Sequence, residues 1–143
     1  MTTPPAVYAQ FGQALAFAER TLTGILREHL AERGTTPETW YALKLVAAGG
    51  PGLARDTLVG KLAGSRDLDT AAVAGLLARL EADGLLGGDT HVHLTAAGAA
   101  LFQSLREHVL AATERLLSQF DVADIETTLR TMLAVTERAA VAS

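Results

Sequence analysis

Cysteine is absent from the 143 residues, which removes thiol nucleophiles, thiol redox sensing and cysteine-ligated zinc in one step. Aromatic side chains are scarce, at 5% of a chain that is 49% apolar. The core must therefore be built from Ala, Leu and Val, and helical propensity is high throughout. Positive charge is also short: 12 Lys and Arg stand against 16 Asp and Glu, a formal net charge of −4, which argues against gross attraction to nucleic acid. No apolar run approaches the ~20 residues of a membrane span. The start, MTTPPAVYAQ, has neither the basic nor the apolar region of a signal peptide, so a soluble, cytoplasmic protein without membrane contact is expected. Catalytic sets are missing too. None of Ser65, Ser104 and Ser118 stands in a Gly-x-Ser-x-Gly elbow, and GGPG at 49–52 is a helix stop and not a phosphate loop. An enzyme is not expected, nor a cofactor.

What is present is helical periodicity. Val7, Phe11, Leu15, Ala18, Leu22, Ile25 and His29/Leu30 step by three or four, one face of a helix over about 5–33. Gly34 ends it, and Thr36 as N-cap, Pro37 at the first helical position and Glu38 at the positive end begin a second helix. That helix stops at Gly49-Gly50-Pro51. ARDTLVGKLAG predicts a short helix, SRD a turn, and LDTAAVAGLLARLEAD a further helix capped by Asp69 and closed by Gly84. LLGGDTHVHL alternates about a Gly-Gly-Asp turn and predicts a two-stranded hairpin. Thr95 caps a long helix bearing Gly98, Leu101, Leu105, Val109, Ala112, Leu116 and Phe120 on one face. Asp121 caps the last, with Val122, Ile125, Leu129, Leu133 and Thr136 on one side. The terminal helices are more apolar than a sheath over a ~50-residue module needs. Stripes left over in this way are usually buried in an oligomer, so a symmetric homodimer is expected.

Helix–turn–helix–hairpin between terminal helices, with LLARLEADGLL followed by LTAAGAAL, resembles the MarR family of bacterial regulators. The matching residues are Leu76, Leu80, Glu81, Gly84 and Leu85, then Leu94, Thr95, Gly98 and Leu101. PETWYALKLVAAGG and TLVGKLAG resemble the family's segments upstream, and the likeness runs in order over about residues 5–141. The resemblance implies a mainly α fold: a winged helix–turn–helix at 37–94, with residues 1–36 and 95–143 as a helical dimerisation region. It implies a homodimeric transcription factor whose affinity for palindromic promoter DNA is set by a small ligand. In such a module the recognition helix enters the major groove. On this sequence that assigns DNA contacts to Ser65, Arg66, Thr70, Ala71, Ala72, Ala74, Gly75 and Arg79, and to Thr90, His91 and His93 of the wing. A pocket between the first, second and fifth helices would bring His29, Tyr41, Lys44, Phe102 and Arg106 to an aromatic or anionic ligand.

The residues depart from that pattern in two places. The family's wing carries an Asp-x-Arg stretch, whereas no Arg or Lys lies here between Arg79 and Arg106. Base-facing positions are Ala71, Ala72, Ala74 and Gly75, and alanine touches a thymine methyl but donates no hydrogen bond. Over 37–95 five cations (Lys44, Arg55, Lys61, Arg66, Arg79) meet seven anions, in a module whose affinity should come largely from phosphate. A second reading therefore stands beside the first: a degenerate winged-helix dimer that binds a small molecule or a protein and no DNA. His91 and His93 share a strand face and are the wing's only cationic tips. As metal ligands they lack a third partner at a telling spacing, so no metal site is assigned. A metal sensor would need three or more ligands converging on a histidine.

Overall fold

The computed structural model describes residues 3–65 and 68–142, the side chains of Ser65 and Ala142 excepted. The chain runs α1 (Pro4–Ala31), α2 (Pro37–Ala48), β1 (Leu53–Ala54), α3 (Arg55–Ser65), α4 (Thr70–Ala82), β2 (Leu86–Gly87), β3 (His91–Leu94), α5 (Ala96–Leu117) and α6 (Val122–Ala142). It forms a mainly α winged helix–turn–helix between long terminal helices, as the sequence leads one to expect.

The caps that delimit these helices use the predicted residues. Thr36 accepts from the Thr39 amide at 3.3 Å, and Asp69 Oδ1 accepts from the Ala72 amide at 2.7 Å. Thr95 Oγ1 accepts from the Gly98 amide at 3.0 Å and donates to the carbonyl of Gly84. Asp121 Oδ1 accepts from the Ala123 amide at 2.9 Å. Each satisfies a first-turn donor that would otherwise lack a partner. Gly84 has φ +75°, the left-handed conformation in which a side chain is strained, and there the chain leaves α4 for the wing.

The hairpin is part of a larger sheet than the sequence suggested. β3 pairs antiparallel with β2, Leu86 opposite Leu94 and Gly87 opposite His93. On its other edge it pairs with β1, Leu53 opposite Val92, giving three strands in the order β1-β3-β2. β1 is two residues long behind a Gly-Pro-Gly stop, too short to show an alternation. Ala54, assigned to the start of the third helix from the sequence, belongs to this strand.

The chain divides into two compact units, Met1–Val109 and Leu110–Ser143. The first holds the core, where Leu30, Leu43, Val46, Leu58, Leu62, Val73, Val92 and Leu105 are fully buried. Trp40 is buried and Tyr41 half-buried. α1 contributes only its last turns: Leu30 is its one buried residue, while Val7, Phe11, Leu15 and Leu22 on the predicted stripe are exposed. In the second unit, among the described residues, α6 buries no side chain. Ile125 is half-buried, and Val122, Leu129 and Leu133 are 68%, 51% and 58% exposed.

Candidate nucleic-acid interface and ligand cavity

α4 has three faces, set by its 100° step. Val73, Leu76, Leu77 and Leu80 are buried. Ala71, Ala74, Gly75 and Ala78 form a continuous exposed strip, as spacing by three and four requires. Between the two lies a third face, where Ala72, Leu76, Arg79 and Asp83 line a cavity. The structure thus divides the proposed DNA-contacting set. Ala71, Ala74 and Gly75 share the outward strip, with exposed Thr70 at the helix start, whereas Ala72 and Arg79 border the cavity. Arg66 lies outside the described residues, as does the Ser65 side chain. The outward strip is therefore methyl and glycine surface, with hydroxyl donation confined to Thr70.

On the wing, His91 and His93 are exposed and Val92 between them is buried. The two imidazoles share the outer face, as alternation dictates. Thr90 Oγ1 lies 3.3 Å from His91 Nδ1. The His93 ring lies over Gly87, where an added Cβ would meet its Nε2 at 2.9 Å. Gly88 turns the tip at φ +97°, and a Cβ there would fall 2.0 Å from the carbonyl oxygen of His91.

The wing is anchored by a residue to which the sequence assigned no role. Arg55 Nε donates to the carbonyl of Asp89 at 2.7 Å and Nη2 to that of Gly88 at 3.4 Å. Nη2 also pairs with Glu81 Oε1 of α4 at 2.8 Å, and the Arg55 amide donates to the carbonyl of Thr90 at 2.8 Å. One guanidinium thus joins α3, the wing tip and α4, and one of the module's few cations is committed to the fold. Its partners lie 26 to 34 positions away in the chain, so no local pattern could have shown this. Arg55→Ala should cost about 1–2 kcal/mol, charge-assisted bonds counting more than a partly exposed ion pair. Hydrogen exchange should show the loss concentrated at wing amides, and uniform exchange would deny the anchoring role.

The cavity has a volume of about 450 Å³. Its walls come from the Arg33–Thr36 turn, the start of α2, α4, and Leu85 and Leu101. Leu68, Leu76, Leu80, Leu85 and Leu101 make it apolar, and Arg33 and Arg79 bring positive charge against Glu38 and Asp83. The five ligand residues proposed from sequence are not among its lining. Three of them fall in two other clusters. Phe102 stacks on Trp40 with ring centroids 5.5 Å apart, and the Lys44 ammonium sits 5.6 Å over the Trp40 ring, with half-buried Tyr41 next in sequence. Arg106 is exposed on α5. His29 meets His108 edge to face, centroids 5.5 Å apart, and the two share Glu32, whose Oε2 lies 3.1 Å from His108 Nε2 and 3.7 Å from His29 Nδ1. His29 Nδ1 is buried without a hydrogen-bond partner, alone among the side-chain atoms of the described residues. Glu32 was missed in the sequence because it pairs with a residue 76 positions away.

This arrangement is the winged helix–turn–helix fold of MarR-family proteins. A MarR-family protein of Bacillus stearothermophilus superposes with a TM-score of 0.77 at 20% identity, covering 97% of this chain and 99% of that one. A Mycobacterium tuberculosis MarR-family protein in complex with DNA matches with a TM-score of 0.71 at 23% identity, over 87% of this chain and 95% of the other. CouR of Rhodococcus jostii bound to p-coumaroyl-CoA matches with a TM-score of 0.71 at 20% identity, over 87% and 90%. No family model and no curated protein matches the chain. Among the described residues no helix is long and apolar enough to cross a membrane.

Proposed function

We propose that this chain is a homodimeric, ligand-responsive transcriptional regulator that binds palindromic double-stranded DNA in the cytoplasm, without catalytic activity. The observation that carries the reading is an exposed α4 beside an anchored wing, in a fold that a DNA-bound structure shares. Residues 37–94 then read DNA, while 1–36 and 95–143 pair the protomers. The stripes of α1 and α6 support a second copy as their partner: both expose large apolar side chains, and a self-complementary surface closes under two-fold symmetry.

The outward strip sets the mode of recognition. Ala71, Ala74 and Ala78 can approach thymine methyls, and Thr70 can bond to phosphate or a base edge. Specificity therefore rests on shape and apolar contact more than on bidentate hydrogen bonds. Two recognition helices must meet half-sites about 34 Å apart. A ligand that prefers one spacing of the protomers shifts the population toward it and changes DNA affinity accordingly. The leucine-lined cavity with Arg33 and Arg79 suits an aromatic carboxylate.

A second reading keeps the dimer and the cavity and drops DNA. It is favoured by the donor-poor strip and by Arg55 being spent on the wing. Titrating the protein against its own upstream DNA and a scrambled duplex, at two salt concentrations, separates the two. The regulator predicts tight binding that prefers the native sequence and weakens steeply with salt. Equal or absent binding to both duplexes selects the second reading.

A further inference from the structure

We propose that His29, Glu32 and His108 form a site for a divalent transition-metal ion of borderline softness, of which zinc is the representative, clasping the end of α1 to α5. The donor atoms of the three side chains all lie within 4.8 Å of one another. For metal–ligand bonds of about 2.0–2.2 Å in tetrahedral geometry, donors stand roughly 3.3 Å apart. The two edges through Glu32 Oε2 measure 3.1 and 3.7 Å and the edge between the imidazole nitrogens is within 4.8 Å, so side-chain rotation that draws the two rings together would close the set. The orphaned His29 Nδ1 points the same way. Glu32 satisfies His108 directly, yet stands 3.7 Å from that nitrogen and leaves it buried without a hydrogen bond, and an ion between the three would satisfy it.

The donor chemistry selects the ion. Two imidazoles and one carboxylate suit zinc, copper(II), nickel or cobalt, and disfavour calcium and magnesium, which take oxygen ligands. Burial is graded as an open site needs: the side chains of His108 and His29 are 18% and 24% exposed, that of Glu32 59%. Three protein ligands and an accessible side leave a fourth position for water or an exogenous group. His29 and Glu32 close the last turn of α1, spaced i to i+3, and His108 comes from α5. Only the folded chain assembles the set, so the ion would stabilise that state. This holds whether or not the chain binds DNA.

The test is a titration of the metal-stripped full-length protein with cobalt(II), followed by its ligand-field absorption, and then with zinc as competitor. The expected result is one equivalent per chain, cobalt displaced by zinc, and a rise in Tm of about 5–10 °C at a hundredfold excess of zinc over its Kd. His29→Gln and His108→Gln should each weaken binding roughly 100-fold, and Glu32→Gln at least tenfold. Glu32 is exposed, so Glu32→Gln carries the test if an imidazole variant fails to fold. The double variant His91→Gln/His93→Gln should bind as the parent does. No ligand-field absorption, or binding that survives Glu32→Gln and is lost with His91 and His93, would overturn the proposal.

Discussion

Gly98→Ala is expected to destabilise the fold by about 3 kcal/mol, at the severe end for an overpacked site, or roughly 10 °C in Tm for a chain of this length. On helix propensity alone the opposite would follow, since alanine is better than glycine in a helix by about 1 kcal/mol. The structure decides the sign. Gly98 is buried in the first turn of α5, and a Cβ there would lie 2.0 Å from the carbonyl oxygen of Leu85 and 3.3 Å from its Cα. The obstacle is backbone and cannot swing aside. That backbone is held from both ends, because the Leu85 carbonyl accepts from the Thr95 amide at 3.1 Å and its amide donates to the Leu80 carbonyl at 2.9 Å. Gly75→Ala is the matched comparison. Nothing lies within 4 Å of its added Cβ, so it should stabilise the protein by up to about 1 kcal/mol. Thermal unfolding of the two variants should move in opposite directions. If both rise, α5 does not approach the wing as closely as described.

Gly98 also shows what kind of information the sequence carries. Its place on one face of α5 was legible from periodicity, whereas the Leu85 backbone it must clear lies 13 positions away. Thr36, Asp69, Thr95 and Asp121 were legible as caps because a cap and its amide partner lie within three residues. The features that escaped are long-range or too short. β1 has two residues and exists because β3 offers an edge. Arg55 and Glu32 look like ordinary surface charges until the fold brings the wing tip and His108 to them. The face of α4 on which Ala72 and Arg79 sit depends on the helix's rotation over its core. Periodicity places Val73, Leu76, Leu77 and Leu80 inward, but does not say that the space beside Arg79 is a cavity and not solvent. Of the ligand set inferred from family geometry, Phe102 and Lys44 lie against Trp40, His29 clusters about Glu32 and Arg106 stands exposed.

Leu133→Glu should dissociate the proposed dimer while leaving the protomer folded. Leu133 is 58% exposed within the chain, so the glutamate meets water there and the helix accepts it readily, Glu being a good helix former. In a two-fold interface built on the α6 stripe, the same substitution enters twice and each carboxylate is buried without a partner. At about 3 kcal/mol for an unpaired interfacial charge, two cost roughly 6 kcal/mol, on the order of 10⁴ in the dimer Kd. Sedimentation velocity at micromolar protein should show a dimer for the parent and a monomer for the variant, with unchanged far-ultraviolet circular dichroism. Affinity for a palindromic duplex should fall with it, since a monomer engages one half-site and loses the effective concentration that linking provides. A variant that remains dimeric would move the interface off α6. A variant that becomes monomeric yet binds the full palindrome as before would separate dimerisation from DNA recognition, leaving the single module of α4 and wing to do the reading alone.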